Sequence, residues 1–140
     1  METTTPVAPP ASGASPDADV AIYYAFIEEV VHRGARANTG RFLAANFVEH
    51  YDAAVRRGPE LLTWLAARHA RFPAAVWVID LLVGVCDLVV CQCTMTCDTE
   101  PGPPIRVSET VVVRISNGRI AESWRASDDD RLFAAEALGN

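Results

Sequence analysis

At Pro73 the spacing of apolar residues changes, and no other feature of these 140 residues constrains the fold as much. Before it, apolar side chains recur three and four apart, the repeat of a helix that buries one face. After it they alternate, with β-branched residues in the majority, the repeat of a strand with one side in a core. A chain with helices in its first half and consecutive strands in its second folds as α+β. Its three N-terminal helices pack on one face of a curved, mostly antiparallel sheet.

The helical half divides by its breakers. Residues 1–16 are almost entirely Thr, Pro, Ala, Ser and Gly and are expected to be a disordered tail, leaving 17–140 as a single domain. Asp17 or Asp19 can cap a first helix, whose stripe is Val20, Tyr23, Tyr24, Ile27, Val30 and Val31 and which ends near Gly34. A short second helix is expected over 39–47 with Phe42, Leu43 and Phe47 inward, then a polar break over 50–58. Pro59 opens a third helix with Leu61, Leu62, Leu65, His69 and Phe72 on its apolar side, and Pro73 ends it. Strands are expected over 75–83, 88–98, 105–116 and 119–126, and a closing helix over 130–138.

Asn117-Gly118 is a tight-hairpin signal, since both central residues of that turn need positive φ. Counting outward from it sets Ile115 opposite Ile120, Val113 opposite Glu122 and Val111 opposite Trp124. Glu109, Val111, Val113, Ile115, Ile120, Glu122 and Trp124 then share the face turned to the helices. Glu109 and Glu122 become carboxylates on an apolar face, where desolvation raises a pKa and suits a group to acid–base work. The plainer alternative is a glutamate at a strand end in water, or one paired with an arginine.

The net charge of −6 excludes the basic surface that phosphate binding needs, so no nucleic-acid partner is expected. No apolar run approaches the roughly 20 residues of a membrane span. The N-terminus lacks a secretory pattern, which makes a cytoplasmic location the expectation. All 12 basic residues are arginine, so a lysine Schiff base is unavailable. Cys91, Cys93 and Cys97 share one strand face with Met95; the spacing fits no zinc pattern, and buried free thiols are expected, with Cys86 also free. His50 stands where an element ends among aromatic residues, and can be a base, an orienting donor or an ordinary hydrogen-bonded histidine. His69 is read as a satisfied core residue, and His32 as exposed near a helix end. Of the acidic run, Asp129 or Asp130 can cap the last helix, and Asp128 can point into a pocket mouth.

The run from Glu109 to Trp124, with Arg114, Gly118, Arg119, Ile120, Glu122 and Trp124 at their spacing, then Asp128 and the closing Leu138-Gly139, resembles the SnoaL-like polyketide cyclases of the NTF2-like superfamily. His50, Gly58 with Glu60, Phe72-Pro73 and the turn at Gly84 to Val89 agree more loosely, so that the resemblance spans about 18–139. It implies a cone-shaped fold enclosing an apolar pocket, a homodimer, and an apolar polyketide-type substrate. Its cyclases close a ring by intramolecular aldol condensation in antibiotic-type secondary metabolism, without metal or cofactor. Relatives hydroxylate, isomerise, dehydrate or open epoxides. The resemblance makes Asp128 the catalytic acid–base and His50 a pocket contact that can donate to the enolate. Trp124, Glu109, Glu122, Tyr24, Asn46, Phe47, His69, Val111 and Val113 are the candidate substrate-binding set. Arg125, beside Trp124, is expected to bring a cation near Asp128 and lower its pKa. A non-catalytic ligand-binding module of the same fold is the further alternative, and an ionisable pair inside the pocket would distinguish an enzyme from it.

Overall fold

The computed structural model describes residues 16–51, 54–98 and 102–128. The expected tail and closing helix fall outside these residues. Helix α1 (Pro16–Phe26) starts on proline, continues as a π-helical turn over Ile27–His32 and stops at Gly34, whose φ is +72°. A 3₁₀ turn over Arg36–Asn38 leads into the single-turn helix α2 (Thr39–Phe42). Helix α3 (Gly58–Arg71) has proline in its first turn, and its Glu60 carboxylate accepts from the Arg57 backbone N–H at 2.6 Å, satisfying an N-terminal donor.

Six strands make one sheet in the order β2-β1-β6-β5-β4-β3, with β1 parallel to β6 and every other neighbouring pair antiparallel. They are β1 (Leu43–Tyr51), β2 (Ala54–Arg57), β3 (Val76–Val85), β4 (Leu88–Cys97), β5 (Ile105–Ser116) and β6 (Arg119–Ser127). The four later strands fall where the sequence places them. Helix α2 is the first turn of the expected second helix, and β1 and β2 replace the rest of it and the polar break. Leu43 and Phe47 are four apart, a spacing that suits a helical turn and, being even, also one side of a strand. Pairing with β6 decides between them, because it gives this segment a hydrogen-bonded ladder that four helical residues cannot match.

The inner face of the sheet and the helices enclose the core. Phe47, Leu61, Val89, Met95, Val107, Val113, Ile115 and Ile120 are at most 2% exposed. Each such side chain contributes on the order of 1.5–3 kcal/mol. Gly84 lets the start of α1 lie against β3: a Cβ there would come within 2.6 Å of the Pro16 carbonyl oxygen. Cys91, Cys93 and Cys97 are free and buried on the inner side of β4, as expected, while the free Cys86 is exposed.

The last hairpin departs from the expected register. Asn117 and Gly118 both take positive φ (53° and 76°), and Ile115 does pair with Ile120. Arg114, however, pairs with Glu122, so Ala121 is an extra residue in β6. That bulge reverses the sides of everything after it. Val113 pairs with Ser123 and Val111 with Arg125, while Val112 pairs with Trp124. Glu122 and Trp124 therefore leave the helix-facing side, contrary to expectation, and Ser123 and Arg125 take their places.

Candidate active site

The bulge brings Arg125 into the interior between two carboxylates. Its Nε donates to Glu49 at 3.1 Å and its Nη1 to Glu109 at 2.9 Å, with Nη2 also 3.1 Å from Glu49. Ser123 Oγ donates to Glu49 at 2.9 Å. Arg56 Nη2 reaches Glu49 at 3.1 Å, and Arg68 Nη1 reaches both Glu109 oxygens at 3.5 Å. Glu49, Arg56, Arg68, Glu109 and Arg125 are each at most 9% exposed. Burial opposes the charge on Arg125, but Glu49 and Glu109 outweigh it, so the guanidinium holds its proton more tightly than usual. Burial lowers Arg56 to about 10, with Glu49 opposing. Burial also keeps the Tyr23 hydroxyl protonated well above its ordinary range, against the nearby Arg125.

An open cleft of about 310 Å³ lies between the end of the π-helical turn, α3 and the start of β3. Its walls include Val31, His32, Leu65, Phe72 and Trp77, with Arg68 and His69 on the α3 side. A small cavity of about 30 Å³ lies further in. It shares Val31, His32, Arg68 and Trp77 with the cleft and adds Tyr23, Cys91, Cys93, Glu109, Val111 and Arg125. The cleft is at the small end of the range for ligand pockets and opens toward ionisable groups. A larger groove of about 630 Å³, lined by Asn46, Arg114 and Arg119 among others, lies at the hairpin end and reaches none of the five buried charges. The cleft is the better candidate for that reason. In the inner cavity, a hydrogen bond with Cys93 lowers the Cys91 thiol, burial opposes this and Arg125 assists it; Cys93 is raised.

The expected site residues separate into two groups. Glu109 and Val111 line the inner cavity, His69 lines the cleft, and Phe47 and Val113 are buried in the adjoining core. His69 is not a core residue: it is exposed at the rim, and Arg68 holds the buried position on that helix face. His50, Glu122 and Trp124 form a separate cluster on the other side of the sheet. The His50 Nε2 lies 2.6 Å from a Glu122 oxygen, Arg114 Nη2 donates to the other at 3.1 Å, and the His50 and Trp124 rings stack at 5.6 Å. His50 first, and then Arg114, hold the Glu122 carboxyl below its usual range, the reverse of the rise expected for an apolar face. Tyr24 is 47% exposed, and Asn46 lies in the hairpin groove.

Asp128 is exposed, and its Oδ1 accepts from the Ser108 backbone N–H at 2.9 Å. Arg125 turns to Glu49 and Glu109 instead of standing beside it. Glu49, Arg56, Trp64 and Arg68 were not among the expected residues. Trp64 and Arg68 complete a stripe with Leu61, Leu65 and Phe72, so an arginine on an apolar helical stripe was the signal for Arg68. Glu49 had a weaker one, alternation with Phe47.

A curved mixed sheet with three helices on its inner face and a cleft into its interior is the NTF2-like architecture. Residues 21–135 match the profile of the SnoaL-like polyketide cyclases, and the chain belongs to that family. Solved structures share the fold at low identity. IdmH of Streptomyces antibioticus, described as a candidate polyketide cyclase, is 21% identical with a TM-score of 0.67, over 84% of this chain and 98% of its own. A SnoaL-like candidate cyclase from Jannaschia sp. CCS1 is 15% identical with a TM-score of 0.73, over 99% and 98%. AclR of Streptomyces galilaeus, described as a candidate hydroxylase, is 15% identical with a TM-score of 0.65, over 89% and 87%. No curated protein matches the sequence. Among the described residues no helix is long and apolar enough to cross a membrane.

Proposed function

We propose that this protein closes a ring on an aromatic polyketide intermediate by intramolecular aldol condensation, using only its own side chains for acid–base work. The observation that carries the reading is the ionisable group set at the inner end of the cleft: Glu109, Arg125 and the Tyr23 hydroxyl. A carrier of apolar ligands has no use for buried charges, which cost several kcal/mol each to desolvate.

The substrate rings rest against Trp77, Leu65 and Phe72, with a 1,3-dicarbonyl segment directed inward. Glu109 takes the proton from the carbon between the carbonyls, and the Tyr23 hydroxyl donates to the enolate oxygen. The enolate carbon attacks a second carbonyl carbon of the same chain, and the resulting alkoxide recovers the proton. Holding the flexible chain in a reactive fold can supply roughly 7–11 kcal/mol of the barrier. Glu109 ranks ahead of Asp128 as the base because it borders the cavity, whereas the Asp128 carboxylate engages a strand-end N–H in solvent. The enzyme is read as a homodimer of secondary metabolism.

The test is to incubate the protein with the methyl ester of a linear aromatic polyketide and follow products by chromatography and mass. Glu109→Gln is expected to lower turnover about 10²–10⁴-fold, with thermal melting as a check on folding, and Asp128→Asn to stay within a few-fold. The reverse pattern returns the base to Asp128. The candidate hydroxylase among the similar structures gives a second reading, distinguished by a product heavier by one oxygen atom. Binding without turnover would leave the ligand-binding alternative.

A further inference from the structure

Among the described residues, three buried guanidiniums, Arg56, Arg68 and Arg125, face two buried carboxylates, Glu49 and Glu109, so this cluster carries one positive charge in excess. The other buried carboxylate, Asp19, is influenced by Asp87 and not by these arginines. An excess buried charge is costly unless something neutralises it.

The three arginines are not equivalent. Arg125 is engaged with both carboxylates at 2.9–3.1 Å. Arg56 is held on Glu49 and against the Tyr51 and Trp64 rings, at 3.6 and 4.0 Å, and lines none of the cavities described above. Arg68 borders both the cleft and the inner cavity. Its two contacts with Glu109 are long, 3.5 Å, and both run through Nη1. Its guanidinium carbon lies over the rings of Trp64 and Trp77, 4.6 and 4.2 Å from their centroids. The N–H groups of such a fork lie along its edge and match a planar pair of oxygens.

Arg33 and Arg36 extend the same sign to the rim. His32 and His69 border the cleft, and with Arg33 and Arg36 they line a side pocket continuous with it. Two carboxylates lie on the same segment: Glu28, 3.5 Å from His32, and Glu29, which accepts from Asn38 and Arg41. In a chain of net charge −6, this concentration of basic groups at one opening would steer an anion toward it. Burial weakens the hold of Arg68 on its proton, Glu109 opposes this and Arg125 adds to it; a bound anion would act in the same direction as Glu109.

We infer that Arg68 seats a planar, delocalised oxyanion of the ligand on its edge: a carboxylate the ligand carries, or the enolate that forms once Glu109 has taken the proton of its 1,3-dione. The inference rests on the cleft being the substrate site and assigns the group that Arg68 holds there. Titration of the full chain, followed by tryptophan fluorescence and calorimetry, tests it with three probes: 2-naphthoate, 5-phenylcyclohexane-1,3-dione at neutral pH, and the neutral 2-acetylnaphthalene. At least one anion is expected to bind tenfold or more tightly than the neutral ketone, and which one does identifies the source of the oxyanion. Arg68→Gln is expected to remove that preference while leaving affinity for the ketone within about twofold. The wild-type comparison stands even if that variant does not fold. Equal binding of all three probes overturns the oxyanion inference and leaves the cleft as the site. Binding of none overturns it as well, while the cleft reading itself falls only if Glu109→Gln closes the ring at the wild-type rate.

Discussion

Arg125 shows how one side chain can determine an interior. It touches both Glu49 and Glu109, so Arg125→Gln leaves two buried carboxylates without their shared cation. Breaking a buried pair in this way costs about 3–5 kcal/mol, which denaturant melts would register as a large loss of midpoint with little change of slope. Asp19 presents the opposite case. It is 0% exposed, and among the described residues neither carboxylate oxygen has a hydrogen-bond partner. Burial first, and Asp87 second, raise its pKa. The folded state therefore holds this proton more tightly than the unfolded one. The stability due to Asp19 is present below the unfolded pKa of about 3.9 and is lost as pH rises through the higher folded value. Asp19→Asn is expected to raise Tm at pH 7 by a few degrees and to leave it unchanged near pH 4. A constant offset across that range would mean that the charge is not the cause.

The β-turns and the bulge decide more than the strands they join. In the β3–β4 turn Cys86 takes φ of +56°, a conformation that costs a non-glycine residue about 1–2 kcal/mol. Cys86→Gly is expected to stabilise the protein by about 0.5–1 kcal/mol after the greater chain entropy of glycine is allowed for, measurable by urea titration. The Asn117-Gly118 turn was legible because its backbone demand falls on two adjacent residues. The bulge at Ala121 was not, because nothing about an alanine indicates that its strand partner is missing. Its cause is tertiary: with Ser123 and Arg125 inward, Glu49 and Glu109 acquire a cation and a hydroxyl donor, whereas a regular hairpin would have buried Glu122 and Trp124 beside them.

At the scale of the whole molecule, the side of the sheet away from the helices carries an exposed apolar stripe on its edge strand: Val76, Val78, Leu81, Val83 and Val85, each 39–57% exposed. Such an edge invites association, and charges placed on it prevent pairing. With the proposed homodimer, light scattering after gel filtration is expected to give twice the chain mass, and the double substitution Val78→Asp, Val83→Asp to give the single mass. A wild-type monomer would remove the dimer from the reading.

By itself the sequence determined the α+β class, α1, α3 and the four later strands, the tight turn and the family, because each rests on local spacing or on a contiguous motif. It also marked Glu109, Val111 and Val113 as inward, since they precede the bulge and keep simple alternation with Ile115. Only the tertiary structure decided that β1 is a strand, that His50, Glu122 and Trp124 stand together outside, and that Glu49, Arg68 and Arg125 meet inside. The physical reason is that strand parity depends on which residue pairs with which. One unpaired alanine, chosen by contacts some 75 positions away in sequence, exchanges the two sides of the strand that carries the site.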